Sequence, residues 1–287
     1  HTIPERTPPM TGTLRPAPSA EPSLCPSGLV RGNSVSSTDG TTITYLARGT
    51  GPVILGVHGG LGSAISLLPI AEHLADDFEV VLINLRGHGT SGWGNSPPHI
   101  THMIDDVLAV ADAVGPVTTL FGYSYGAVIA LETALAAPDR IDRLALYEPP
   151  LPITYPIPEL TELENRITAG DYEQLLLDAT PAAGGFSAAE LAALRADPLW
   201  MSKIAHAPTL VPTMRILAAL APTVEQYTAV TVPTRLIVGT TSAPYLLDAA
   251  DHLATAIPGL TRETLHGQGH HVDPHLLATA LAAFTHP

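Results

Sequence analysis

The chain's pattern sharpens from Ser34 onward. "TTITYLARGTG" (41–51) varies between polar and apolar positions as a half-exposed antiparallel strand does, and "PVILGVHGG" (52–60) is the short apolar run of a strand buried on both faces. A helical stretch near 65–75 follows, then a strand "FEVVLINL" (78–85), a loop "RGHGTSGWGNSPP" (86–98), a helix over 101–114 and a strand "VTTLFGYS" (117–124). An Ala- and Leu-rich helix comes next, and then a strand "IDRLALYE" (141–148). Strands alternating with helices predict an α/β fold, with parallel strands joined by right-handed crossovers and functional groups at the strands' carboxyl ends.

That rhythm stops over residues 149–230, where Pro-rich joints such as "EPPLPITYPIP" separate short helical patterns with no strand between them. The segment reads as an inserted helical lid. The sheet resumes with "TRLIVGT" (234–240), a helix over 243–257, a strand "TRETLHG" (261–267) and a last helix from Pro274 to Phe284. The expected organisation is a flexible N-terminal extension over 1–33, a core of 34–148 with 231–287, and a helical cap over 149–230. No internal repeat interrupts it.

Composition supports a globular chain: hydrophobic residues make up 45% and charged residues 14% of the 287 positions. No stretch reaches the ~18 unbroken apolar residues of a membrane-spanning helix. The formal charge of -14 reflects few basic residues, Lys203 being the only lysine, and makes nucleic acid a poor partner. Cys25 is the only cysteine, so no intrachain disulfide forms, and its polar, Pro-rich setting marks an incidental thiol. The N-terminal stretch lacks the apolar run of a secretory signal, so the expected location is the cytoplasm.

The chemistry centres on "GYSYG" (122–126). GxSxG between a buried strand and a helix is a nucleophile elbow, a turn so tight that Gly122 and Gly126 must be small while the Ser124 hydroxyl is pushed out at the sheet's edge. Serine needs a base at neutral pH, and His270 in "LHGQGHHV" (265–272) sits after the last strand and before the last helix, on the same sheet edge and last in chain order. Alternatively, His266, His270, His271 and His275 include four-residue spacings that suit a metal on a helix, although two glycines and Pro274 oppose a continuous helix there. The backbone N–H of Tyr125, with that of Gly60 or Leu61 in the "VHGG" loop, would receive an oxyanion. "HGGLGS" lacks the lysine and the register of a phosphate-binding loop.

Together "VHGG", "RGHGTS", "GYSYG" and "GQGH" resemble the α/β-hydrolase superfamily, in its capped form, over residues 34–287. The resemblance implies a mostly parallel sheet flanked by helices, no cofactor, no bound metal and a small-molecule substrate. It gives Arg86–Gly89 a structural role beside the site. Most such enzymes carry the triad acid just after the strand that here reads "RLIVGT", yet this chain continues "TSAP", with Ser242 near the usual position. A minority take the acid from the end of the preceding strand, which here is Glu148; Asp273, Asp248 and a Ser–His dyad stand as alternatives.

The resulting expectation is a serine hydrolase cleaving an ester, thioester or lactone through an acyl-enzyme. Tyr155, Phe186, Trp200 and Met201 in the lid are candidates for a pocket roof, against the ordinary reading of bulky apolar residues as packing. Aspartate-elbow dehalogenases and epoxide hydrolases are disfavoured by Ser124. A carbon–carbon bond hydrolase, an aminopeptidase, a cofactor-free peroxidase, a non-hydrolytic binding protein on the same fold and a metal-dependent enzyme are the rivals.

Overall fold

The computed structural model describes residues 30–179 and 188–286, so Cys25 and Phe186 lie outside the described residues. A single eight-stranded sheet runs through them in the order β1-β2-β4-β3-β5-β6-β7-β8. Strands β1 (Arg31–Ser36) and β2 (Thr42–Arg48) are antiparallel to their neighbours. The strands β3 (Val53–Val57), β4 (Glu79–Ile83), β5 (Val117–Tyr123), β6 (Ile141–Tyr147), β7 (Thr234–Gly239) and β8 (Thr261–Leu265) pair in parallel. All five residues of β3 are buried, whereas β2 alternates between its two faces, as the apolar run and the mixed pattern predict.

β1 begins at Arg31, ahead of the Ser34 boundary expected from the pattern. Its sequence RGNSVS is almost wholly exposed, so this edge strand leaves no hydrophobic trace. Backbone pairing with β2 holds it instead.

Side chains alternate across the central strands and feed two apolar layers. Ile54, Val80, Leu82, Phe121 and Ile237 pack with α1 (Leu68–Leu74) and α10 (Pro274–Thr285) on one face. Leu55, Val81, Ile83, Leu120 and Val238 face the other layer, with α2 (Ile100–Val114), α3 (Tyr125–Ala136) and α9 (Pro244–Ala256). α3 is buried on nearly every side, which suits its unbroken apolar sequence.

Between β6 and β7 lie α4 (Leu160–Ala169), α5 (Tyr172–Ala179), α6 (Ala188–Ala196), α7 (Pro198–Ala205) and α8 (Leu210–Ala219). Leu163, Leu175, Trp200 and Leu217 join them to the layer that holds α3. Among the described residues no helix is long and apolar enough to cross a membrane.

Candidate active site

Ser124 occupies the turn from β5 into α3 with φ 56°, in the left-handed region that side chains avoid. Its N–H donates to the Tyr147 carbonyl at 2.8 Å, and its carbonyl accepts from Ala127 N–H at 2.8 Å, so the strained turn is held from both sides. The flanking glycines are required by close backbone approach. A Cβ on Gly126 would stand 2.2 Å from the Val57 carbonyl oxygen, and one on Gly122 would stand 2.3 Å from Ala127 Cα. The absence of side chains at both positions lets α3 press against the end of β3 and leaves Ser124 to project.

Register then brings a carboxylate alongside. Tyr123 pairs with Tyr147 across β5 and β6, so the next residues, Ser124 and Glu148, leave adjacent strands side by side. Glu148 also has a positive φ, 47°, and its side chain is fully buried. One carboxylate oxygen accepts from Gly239 N–H at 2.8 Å and from the Ser242 hydroxyl. The other faces His270 Nδ1 at 2.8 Å, and His270 Nε2 lies 3.1 Å from Ser124 Oγ. With Nδ1 protonated and donating to Glu148, Nε2 presents a lone pair to the serine hydroxyl.

Asp273 and Asp248 are placed elsewhere. Asp273 caps α10 by accepting from His275 N–H at 2.8 Å, and Asp248 lies within α9. Among the described residues no group of three or more His, Cys, Asp or Glu side chains is arranged to hold a metal. His275 turns away to meet His73 edge-on, with ring centroids 5.1 Å apart.

Burial pushes the Glu148 carboxyl up, but hydrogen bonds from His270, Ser242 and Gly239 outweigh it and hold the group below its ordinary range. A folded value below the unfolded one stabilises the fold in full above the ordinary glutamate value, about pH 4.3, and loses that share as pH falls through the folded value. The difference in Tm between wild type and Glu148→Gln is therefore expected to be constant at neutral pH and to shrink on acidification below that point. Thermal melts of both proteins across pH 3–7 measure it.

Two tyrosines that the sequence analysis left unassigned fix the loop bearing His270. Tyr123 OH donates to the His270 carbonyl and Tyr147 OH to the Gly269 carbonyl. The two rings stack with centroids 5.1 Å apart. Each tyrosine directly precedes a member of the hydrogen-bonded chain, so the strands that deliver Ser124 and Glu148 also anchor the histidine.

Residues 50–272 match the family described as serine aminopeptidase, S33. The chain belongs to this family of α/β-hydrolases. It is 29% identical to an α/β-hydrolase from Sphaerobacter thermophilus DSM 20745, with a TM-score of 0.76 over 88% of this chain and 99% of that one. An esterase (EaEST) from Exiguobacterium antarcticum shares the fold, with a TM-score of 0.73 at 17% identity over 90% of this chain and 100% of the esterase. Uncharacterized hydrolase YraK of Bacillus subtilis (strain 168) is 35% identical over 120 residues, 41% of this chain and 44% of YraK. The chain thus spans under half the length of the curated relatives it matches.

In this S33-family chain the "VHGG" loop lies against the elbow: a Cβ on Gly59 would stand 3.2 Å from Ser124 Cβ, and one on Gly60 3.8 Å from Tyr125 Cβ. Three buried histidines that the sequence analysis did not single out lie beneath and beside this loop. His58 and His88 approach with ring centroids 4.9 Å apart, and His88 and His206 with centroids 5.2 Å apart. Burial depresses the basicity of all three, that of His206 to about 4. Arg86 anchors the neighbouring loop through Asp106 at 2.6 Å and Asp39 at 2.9 Å.

The candidate roof residues separate. Trp200 is buried in the core, and its indole N–H donates to Glu173 at 3.3 Å. Met201 is 66% exposed, contrary to its expected place over a pocket. Successive helical residues point ~100° apart, so a helix that buries Trp200 turns Met201 toward solvent. Tyr155 is half-buried and meets Tyr245 edge-on, with ring centroids 5.3 Å apart.

Proposed function

We propose that this α/β-hydrolase cleaves an ester, thioester or lactone of a small apolar molecule through an acyl-enzyme on Ser124, His270 and Glu148. The observation that carries the reading is the unbroken hydrogen-bond chain from the Ser124 hydroxyl through His270 to Glu148. Ser124 Oγ adds to the carbonyl carbon as His270 Nε2 takes its proton, and Glu148 stabilises the imidazolium so formed. The negative charge that develops on the carbonyl oxygen meets the N–H groups of Tyr125 and of Gly60 or Leu61. Collapse expels the leaving oxygen or sulfur, which takes the proton from His270. Water then adds to the acyl group by the same route and frees Ser124. The helices α4 to α8 serve as a cap over this centre, with Tyr155 contributing apolar bulk.

A panel of p-nitrophenyl esters of rising acyl length, with a γ-lactone and an aminoacyl p-nitroanilide, tests the reading. Ester or lactone turnover well above that of the anilide is expected. Turnover of the aminoacyl anilide alone would favour an aminopeptidase, which the family's description supports.

A further inference from the structure

The oxyanion loop is held at its carbonyls. In a planar trans peptide the C=O and the N–H point in opposite directions, so a group that fixes the carbonyl of one residue also aims the N–H of the next. The Gly59 carbonyl accepts from His58 Nδ1 at 2.8 Å and from Gly62 N–H at 3.0 Å, which aims the N–H of Gly60. The His58 tautomer is fixed because its Nε2 accepts from Leu85 N–H at 3.1 Å. The next carbonyl, that of Gly60, faces His88 Nε2 at 3.0 Å, which aims the N–H of Leu61, while His88 Nδ1 faces the Arg86 carbonyl at 3.1 Å and the nearby Thr209 hydroxyl donates to the His206 carbonyl at 2.6 Å. Gly60 has the widest backbone freedom of any residue type, yet both peptides flanking it are clamped.

His206 connects this arrangement to the helices inserted between β6 and β7. It sits in the turn from α7 toward α8, and its Nε2 accepts from Gly89 N–H at 3.0 Å, next in the chain to His88. The proton of the neutral ring is therefore on Nδ1, which is buried and makes no hydrogen bond. A buried ring nitrogen without a partner calls for a role, and this ring lies 5.2 Å, centroid to centroid, from that of His88, which faces the Gly60 carbonyl.

We propose that His88 and His206 are positioning residues for the oxyanion loop. With its ring proton on Nε2, His88 donates to the Gly60 carbonyl, and His206, by accepting from the N–H of the adjacent Gly89, seats His88 against the loop from the α7–α8 turn. This rests on the assignment of Ser124 as nucleophile and of the Gly60–Leu61 loop as oxyanion donor.

The test compares His206→Leu, which removes the nitrogen that accepts from Gly89 N–H, with His206→Gln, whose amide oxygen restores an acceptor, and adds His88→Phe. The readouts are kcat and KM for p-nitrophenyl butyrate and Ki for phenylboronic acid, whose boron adds the Ser124 oxygen, with the hydroxyl proton passing to His270, to give a tetrahedral adduct. His206→Leu is expected to lower kcat and weaken the boronic acid by the same factor, about tenfold, with KM nearly unchanged, and His88→Phe to do so by about a hundredfold, the size of one lost oxyanion donor. His206→Gln should recover most of the loss. A folded His206→Leu protein with wild-type kcat and Ki, or a change confined to KM, or equal losses for His206→Leu and His206→Gln, overturns the proposal; if His88→Phe does not fold, the His206 pair decides alone. Equal binding of phenylboronic acid to wild type and to Ser124→Ala would instead refute the underlying nucleophile assignment.

Discussion

Glu148→Gln is expected to lower kcat by about 10³ to 10⁴ while leaving the fold intact, the scale seen when the orienting carboxylate of a Ser–His–acid triad is replaced by an amide. The size follows from the tautomer. The glutamine oxygen can keep the Gly239 and Ser242 contacts that Glu148 makes through one carboxylate oxygen. Its NH₂ group then faces His270 Nδ1, where a carboxylate oxygen stood at 2.8 Å. An amide donor there drives the imidazole proton onto Nε2, and the ring can no longer accept from Ser124. Asp248→Asn and Asp273→Asn should each cost less than about tenfold, equivalent to ~1.4 kcal/mol in the barrier. Steady-state kinetics on the best ester of the panel, with circular dichroism as the check on folding, separate these outcomes. Near-wild-type turnover by Glu148→Gln would remove Glu148 from the mechanism.

Ser124→Ala is expected to abolish ester turnover, a loss of at least about 10⁴, because no other group in the elbow can form the acyl-enzyme. Stability should change by less than about 1 kcal/mol, since Ser124 is only half-buried, its hydroxyl's partner is His270, and alanine meets the same positive φ as serine. His270→Ala should match the kinetic loss, because a nucleophile and its base act as a unit and their removals do not add.

Legibility in the sequence followed the physics of each signal. The buried parallel strands announced themselves because β3, β5, β6 and β7 are apolar over most of their length. The elbow was legible because its chemistry is local, two glycines and a serine at a strand–helix junction. Glu148 was harder to place, since the usual site after β7 carries Ser242. The structure puts that serine to use as a hydrogen-bond donor to Glu148. What stayed hidden depends on contacts between distant parts of the chain. Tyr123 and Tyr147 look like ordinary strand residues until the His270 loop is folded against them. His58, His88 and His206 come from three separate segments and meet only through the fold. Met201 was misplaced because composition reports bulk and not the face of the helix on which it falls.

The most direct test of the account is covalent. Protein treated with a fluorophosphonate, digested and mapped by tandem mass spectrometry, is expected to carry one adduct, on the Ser124 hydroxyl, with the rate of labelling strongly reduced in Glu148→Gln and no adduct in Ser124→Ala. An adduct on any other residue, or undiminished labelling of Ser124→Ala, would contradict the assignment of Ser124, His270 and Glu148.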